Sequence, residues 1–388
     1  MFARRRHRLQ RSGFTLVELL MVITIIGMLV GLISYAGVKA LARARDAQTI
    51  LDMQSLTAAI QSYKADHQQY PPDFSDYNYN NRQTRFNNHR SIAWPRSGMA
   101  YSTLKSYILN NTSKSYGYNY KSGGSSGGSG GTMTPLNLDM LDQAEALVFW
   151  LGGFPTPYSS AGVPMAGKKL FGFATDVTNP FRLDVGIGTN LQHRTTSLLD
   201  FDETRLVDND NDGWYEYIPP ASFTGTNGLA PPYAYFDAGG YGQIWTTKTT
   251  PAYTGYPMPR ASDPNATQAT QLMQAWGIAV PYAQTLNTAS GTPFPQWNNP
   301  TTFQIICCGG DGMYGNPSST NLRIPCFPSG ATYSIPGMTQ GFFDQQELDN
   351  LTNFIAGTID NMSANQQGTG ISSSSGSSSS SSSSGSGS

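Results

Sequence analysis

The sequence predicts an α+β fold in which one long N-terminal α-helix packs on a small antiparallel β-sheet with long loops. Three observations carry this expectation. Residues 14–38 read FTLVELLMVITIIGMLVGLISYAGV, apolar throughout and interrupted by a single charge, Glu18. Beyond them apolar residues recur three or four apart, at Ala40, Ala44, Ala47 and Leu51 and at Ile50, Met53, Ile60 and Tyr63. With Arg43, Arg45, Asp46, Asp52, Gln54 and Gln61 between them, this is the period of an amphipathic helix. After Pro71-Pro72, short runs rich in β-branched and aromatic residues are separated by Gly and Pro, the punctuation of strands and turns.

The continuous helix is expected from Phe14 to about Asp66, about 80 Å at 1.5 Å per residue. It stops before Pro71-Pro72, which cannot continue it. Its first part is long enough to span a bilayer, since about twenty helical residues cover the hydrocarbon. Arg4, Arg5, Arg6, Arg8 and Arg11 precede it, so the N-terminus is expected in the cytoplasm and everything after Lys39 on the far side of the membrane, in a single pass. No small-residue cleavage pattern follows the apolar run, so it is expected to be retained. Its second part, residues 39–68, should leave the membrane and pack one face on a head.

The head is expected over 69–367. It holds an irregular Asn/Tyr/Ser-rich stretch from Asp73 that ends in the Gly/Ser loop 123–131, and a helix over about Leu138 to Leu151. Strand-like runs follow at Lys169–Ala174, Tyr215–Ile218, Tyr233–Asp237, Gly242–Trp245 and Phe303–Cys308. Residues 368–388, almost pure Ser and Gly, cannot fold.

Composition narrows the function classes. Only 13% of the 388 residues are charged, which suits a loop-rich extracytoplasmic protein better than a helical cytosolic enzyme. The N-terminal arginines have no aromatic interleaving and no basic stripe after them, so nucleic acid is not an expected partner. His7, His67, His89 and His193 are scattered, no G-x-S-x-G, H-E-x-x-H or phosphate loop occurs, and no enzyme is expected. Cys307, Cys308 and Cys326 lack zinc-site spacing. Two readings stay open for them: three free thiols, or a bridge to Cys326 closing a loop of about twenty residues and worth about 3 kcal/mol.

The segment RSGFTLVELLMVI, Arg11 to Ile23, resembles the prepilin signature of type IV pilins and type II secretion pseudopilins. The resemblance implies that residues 1–13 are a leader, that a membrane prepilin peptidase cuts between Gly13 and Phe14, and that the new first residue, Phe14, is N-methylated. It also gives Glu18 a role. A carboxylate this far into an apolar run costs about 3 kcal/mol on insertion scales. In the family's filaments the glutamate neutralises the N-terminal amine of a neighbouring subunit. In the head, Pro231–Asp237 and Phe303–Pro317 resemble the tyrosine-containing strand and the S-x-G-x-D-G loop of major pseudopilins, with Cys308, Gly310, Asp311 and Gly312 on that loop and cysteine in place of serine. The segment Asp349–Phe354 is similar to long pilin-like proteins of planctomycete-type bacteria.

Two acidic stretches are candidate cation sites. In DNDNDGWYE, Asp208, Asp210 and Asp212 precede Gly213 as in the first half of a D-x-D-x-D-G calcium loop, with Glu216 as a further oxygen donor. Pro219 stands where an EF-hand has its bidentate Glu, so the loop is incomplete, and a solvated acidic turn is the alternative. Asp311 is the second candidate, because major pseudopilins bind calcium in the C-terminal region it resembles, with Asp349, Asn350 and Asn353 placed to close the site. A plain Asp-Gly turn explains that loop equally well.

The expected function is a structural subunit of a type II secretion pseudopilus or related filament, with prepilin peptidase, other pseudopilin subunits and the inner-membrane platform and ATPase of the system as partners. The alternative is a surface-displayed, calcium-dependent binding or adhesion protein that uses the same anchor.

Overall fold

The computed structural model describes residues 15–76, 79–110, 119–122, 132–155, 168–183, 193–220, 228–241, 255–257, 266–287, 294–315, 323–334, 340–343, 345–355 and 357–359. Gly13, Phe14, the Gly/Ser loop 123–131, the strand-like run Gly242–Trp245 and the Ser/Gly tail lie outside these residues.

Helix α1 runs unbroken over Leu16–His67, about 78 Å at 1.5 Å per residue. Thr15 caps its start, and Gln68 ends it in the left-handed region (φ 67°), donating its N–H to the Lys64 carbonyl. The two parts of α1 meet opposite environments. On the second, Met53, Leu56, Ala59, Ile60 and Tyr63 form a buried stripe at helical spacing. On the first, thirteen large apolar side chains between Leu16 and Ile33 stand 44–79% exposed. At about 1.5–3 kcal/mol per fully buried side chain, leaving them in water forfeits on the order of 20 kcal/mol, more than the whole stability of a typical domain.

The span expected over 14–38 includes Phe14 and side chains that lie outside the described residues, and among the described residues no helix is long and apolar enough to cross a membrane. The side chains of Leu32, Tyr35 and Val38 are not described.

The head is built around helix α4, Gln143–Gly152, in which every residue is buried. The expected helix over 138–151 starts later because Asp142 takes the N-cap, accepting from the Ala144 and Glu145 N–H groups. One face of α4 meets α1 and the other meets the strands Glu216–Tyr217 and Ala234–Asp237. Trp150 is the hub of this core. Its ring stacks on Phe74 at 5.8 Å, and its indole N–H donates to the Pro72 carbonyl at 2.9 Å. Beside it, Tyr235 donates to the Pro71 carbonyl at 2.8 Å, so the chain leaving α1 is fixed at two consecutive prolines.

The single small sheet of the expectation is replaced by several. A three-stranded antiparallel sheet has the order Leu351–Thr352, Phe303–Cys307, Ala234–Asp237, with Phe303 opposite Asp237. Its alternating side chains serve two cores: Tyr235, Ile305 and Cys307 face the α1–α4 core, while Phe236, Ile306 and Cys308 join a second cluster around Trp276 and Tyr282. A five-stranded sheet has the order Gln340–Phe342, Ala331–Ser334, Arg323–Cys326, Ala283–Asn287, Phe294–Trp297 and includes a parallel pairing of Cys326 with Ala283. Shorter antiparallel pairs include Phe154–Pro155 with Leu170–Phe171 and Leu206–Val207 with Glu216–Tyr217. The architecture is therefore α+β, but the head is not clearly that of a pilin. All three cysteines are free and buried.

The stretch expected to be irregular after Asp73 holds two helices, α2 (Tyr79–Ala93) and α3 (Tyr101–Asn110). Helix α2 has the poor helix propensity of an Asn-rich segment, and its inward stripe, Arg82, Phe86 and His89, is mostly polar. Tertiary bonds hold it. Arg82 donates to the Asp139 and Asp76 carbonyls. Arg85 pairs with Asp73 at 3.0 Å, with Asp76 at 2.7 Å and with Asp237. Asp73 and Asp237 also exchange backbone N–H bonds through their carboxylates. His89 Nε2 lies 2.7 Å from the Tyr63 hydroxyl on α1.

Burial lowers the His89 pKa to about 3, and the positive charges of His67 and Arg85 add to the effect. The unfolded chain takes up this proton near pH 6.5 and the folded chain does not, so the stability that His89 gives is present above 6.5 and is lost as the pH falls towards 3. His89→Gln keeps an acceptor for Tyr63 without the titration. In denaturant melts of the full chain, the stability gap between wild type and His89→Gln should narrow by up to about 1.4 kcal/mol per pH unit between pH 6.5 and 4. A gap independent of pH would show that His89 is not held neutral.

Candidate functional sites: the helix start and a buried acidic cluster

The start of α1 is a capping box. The Thr15 hydroxyl oxygen accepts from the Glu18 N–H at 3.2 Å, while the Glu18 carboxylate accepts from the Thr15 N–H and hydroxyl, both at 2.9 Å. Glu18 is thus turned back towards the N-terminal end of the helix rather than along its apolar side. The T-x-x-E spacing that announces this box stands in the sequence, and it supplies a local role for Glu18 that the family resemblance had left aside. Farther along, a Cβ built on Gly27 or Gly31 meets nothing within 4 Å, so that side of the helix is open.

The second site lies in the loop between Leu206–Val207 and Glu216–Tyr217. Two left-handed residues, Asn211 (φ 60°) and Gly213 (φ 96°), fold the loop tightly. Asp208 organises the turn, accepting from the Asp212 N–H at 3.0 Å and the Gly213 N–H at 3.2 Å. Glu216 accepts from the Asn209 N–H at 3.1 Å and from the Tyr256 hydroxyl at 2.6 Å. Asp208 and Glu216 therefore spend oxygens on shaping the loop. Asp210 and Asp212 instead converge with Glu145, on the first turn of α4, so that one oxygen from each lies within 4.8 Å of the others.

All three are buried, Glu145 and Asp212 at 1% exposure and Asp210 at 8%. Burial raises their pKa values well above the carboxylate range, and the neighbouring carboxylates push them further. Asp208 is raised to about 6, again by burial first. Glu145 was not foreseen. Its signal was a lone carboxylate on an otherwise apolar helix, and nothing in sequence spacing ties position 145 to position 210.

Asp311 stands on an exposed turn. Its carboxylate accepts from the Met313 N–H, and its own N–H donates to Asp349 at 3.0 Å. Asn350 and Asn353 are engaged elsewhere: the Asn350 amide donates to the Tyr282 hydroxyl and the Tyr314 carbonyl, and Asn353 accepts from the Ile305 N–H. Asn353 thus spends its oxygen on the sheet, while Asp349 lies beside Asp311, and Asp349 Oδ1 and Asn350 Oδ1 are buried without a hydrogen-bond partner. Among the described residues, Glu145, Asp210 and Asp212 are the one group of three carboxylates, cysteines or histidines close enough to share a cation.

Residues 8–34 match the family model described as the prokaryotic N-terminal methylation motif. The chain carries a prepilin-type N-terminus. This supports a type IV pilin-like relationship, and it implies processing by a prepilin peptidase, filament assembly and anchoring through the N-terminal region. The match ends within the exposed part of α1 and leaves the head without a counterpart. No curated protein and no solved structure matches the chain, so the narrower likeness to planctomycete-type proteins has no support from comparison.

Proposed function

We propose that this chain is a structural subunit of a type II secretion pseudopilus or a related type IV filament, inserted in an inner membrane through residues 14–38 and assembled through the same helix after cleavage. The observation that carries this reading is the coincidence of two features on one segment. The methylation motif falls on the part of α1 whose apolar side chains stand exposed among the described residues. A membrane before assembly, and neighbouring helices after it, are surroundings that make such a surface stable. The open face at Gly27 and Gly31 suits close helix approach. Glu18, at the helix N-terminus, then meets the amine of a neighbouring subunit in an apolar setting where neither charge is stable alone.

Intact-mass and N-terminal analysis of protein taken from membranes should find a chain that begins at Phe14 and carries one added methyl group. Gly13→Ala should still be cleaved, and Gly13→Leu should accumulate the uncut precursor. A mature chain that begins at Met1, or well beyond the apolar run, would contradict the reading.

Glu18 separates capping from charge. Glu18→Gln keeps an N3 side chain able to complete the capping box, and Glu18→Ala removes both box and charge, at about 1 kcal/mol for the cap. Both variants should reach the membrane as well as wild type, and both should fail to enter filaments in a membrane crosslinking assay. Incorporation of Glu18→Gln at the wild-type level would assign Glu18 to capping alone.

A further inference from the structure

The acidic cluster is costly as it stands. Glu145 Oε1, Asp210 Oδ1 and Asp212 Oδ2 are buried and accept no hydrogen bond. For two of these residues the second oxygen is already engaged: Glu145 accepts from the Asp142 N–H at 3.0 Å, and Asp212 accepts from the Trp214 N–H at 2.9 Å. Glu145 and Asp212 are thus each held by backbone at one oxygen while the other is left bare, and the bare oxygens belong to the three residues that converge. Among the described residues no Lys or Arg forms an ion pair with any of them. A buried carboxylate oxygen without a partner is expensive, and three in one place repel one another.

We propose that Glu145, Asp210 and Asp212 bind a calcium ion that clips the 208–216 loop to the start of α4. The donor set is all oxygen, which selects a hard cation over zinc or copper. Calcium–oxygen bonds of about 2.3–2.6 Å place two ligands of one ion up to about 5 Å apart, so oxygens that lie within 4.8 Å of one another can share it. Magnesium, with bonds of about 2.0–2.1 Å and strict octahedral order, fits a loop of this kind less well. The ion joins residues more than sixty positions apart in the chain: Glu145 on the buried helix and Asp210 and Asp212 on the loop. It therefore acts as a structural clamp. Asp208 and Glu216, whose oxygens take backbone and Tyr256 donors, hold the loop in shape around it. The competing arrangement is a proton shared between the carboxyl groups, which needs no metal. The inference is independent of the filament reading, because the cluster lies wholly in the head.

The test uses the full chain in detergent micelles, stripped with chelator and titrated with calcium up to the millimolar range that weak extracellular sites require. Calcium should bind at one ion per chain and raise the melting temperature, with magnesium less effective. Terbium should bind in its place and emit on excitation of Trp214, which is buried in the same loop. Glu145→Gln, which keeps the capping box, and Asp210→Asn should each weaken binding at least about tenfold, and Asp311→Asn should not. Absence of stoichiometric binding by wild type at millimolar calcium would overturn the site in favour of the shared proton. Equal affinity in wild type, Glu145→Gln and Asp210→Asn would overturn it in favour of the Asp311–Asp349 turn. Should either variant fail to fold, the stoichiometry and thermal shift of wild type decide alone.

Discussion

One covalent rod passes through two incompatible surroundings, and the rest of the protein is arranged around that constraint. Helix α1 has no break between Leu16 and His67. Its outer part presents a single apolar stripe to the head, while its first part is greasy on every described side. Among the described residues, the head packs on the second part of α1 and leaves the first part exposed. Among the described residues nothing covers this apolar surface, and the free energy at stake exceeds what the head's own stability could offset. The capping box at Thr15 and Glu18 satisfies backbone donors at the helix start.

The head, in turn, is organised to grip the stalk. The exit from α1 is held by hydrogen bonds to the Pro71 and Pro72 carbonyls and, just beyond, by Asp73, which shares Arg85 with Asp76 and Asp237. Asp52 on α1 receives Arg205 and the Tyr233 hydroxyl from the sheet side. Polar anchors of this kind add little net free energy when partly exposed, but they fix geometry, and breaking a buried one leaves a stranded charge. A load on the head is thereby transmitted to α1 through several short bonds and the aromatic core around Trp150. A subunit held in a filament by its helix requires such a coupling.

Legibility in the sequence followed the strength of the local signal. The ends of α1 were readable within a residue or two, because a long 3.6-residue period and a Pro-Pro stop leave few alternatives. The strands Phe303–Cys307, Ala234–Asp237 and Glu216–Tyr217 were marked by β-branched and aromatic runs, and the acidic loop by its spacing. Helices α2 and α3 were missed because the stripe that buries α2 consists of Arg82, Phe86 and His89, which become core residues only through partners distant in sequence. The five-stranded sheet was missed because its strands are short and of mixed composition, and because the pairing that joins its two halves, Cys326 with Ala283, links residues far apart in sequence. Glu145 was missed for the same reason: its meaning comes from the loop some sixty-five residues later.

Depth-resolved accessibility along α1 bears most directly on the division of the helix. Single nitroxide labels at Leu20, Ile25, Val30, Gln54 and Gln61, in the full chain reconstituted in lipid bilayers, can be compared for collision with oxygen and with a polar nickel chelate. The account requires the labels at 20, 25 and 30 to favour oxygen strongly and those at 54 and 61 to be open to the chelate. Ready collision of the chelate with the label at Ile25 would contradict it, because the apolar part of α1 would then stand in water with nothing to cover it.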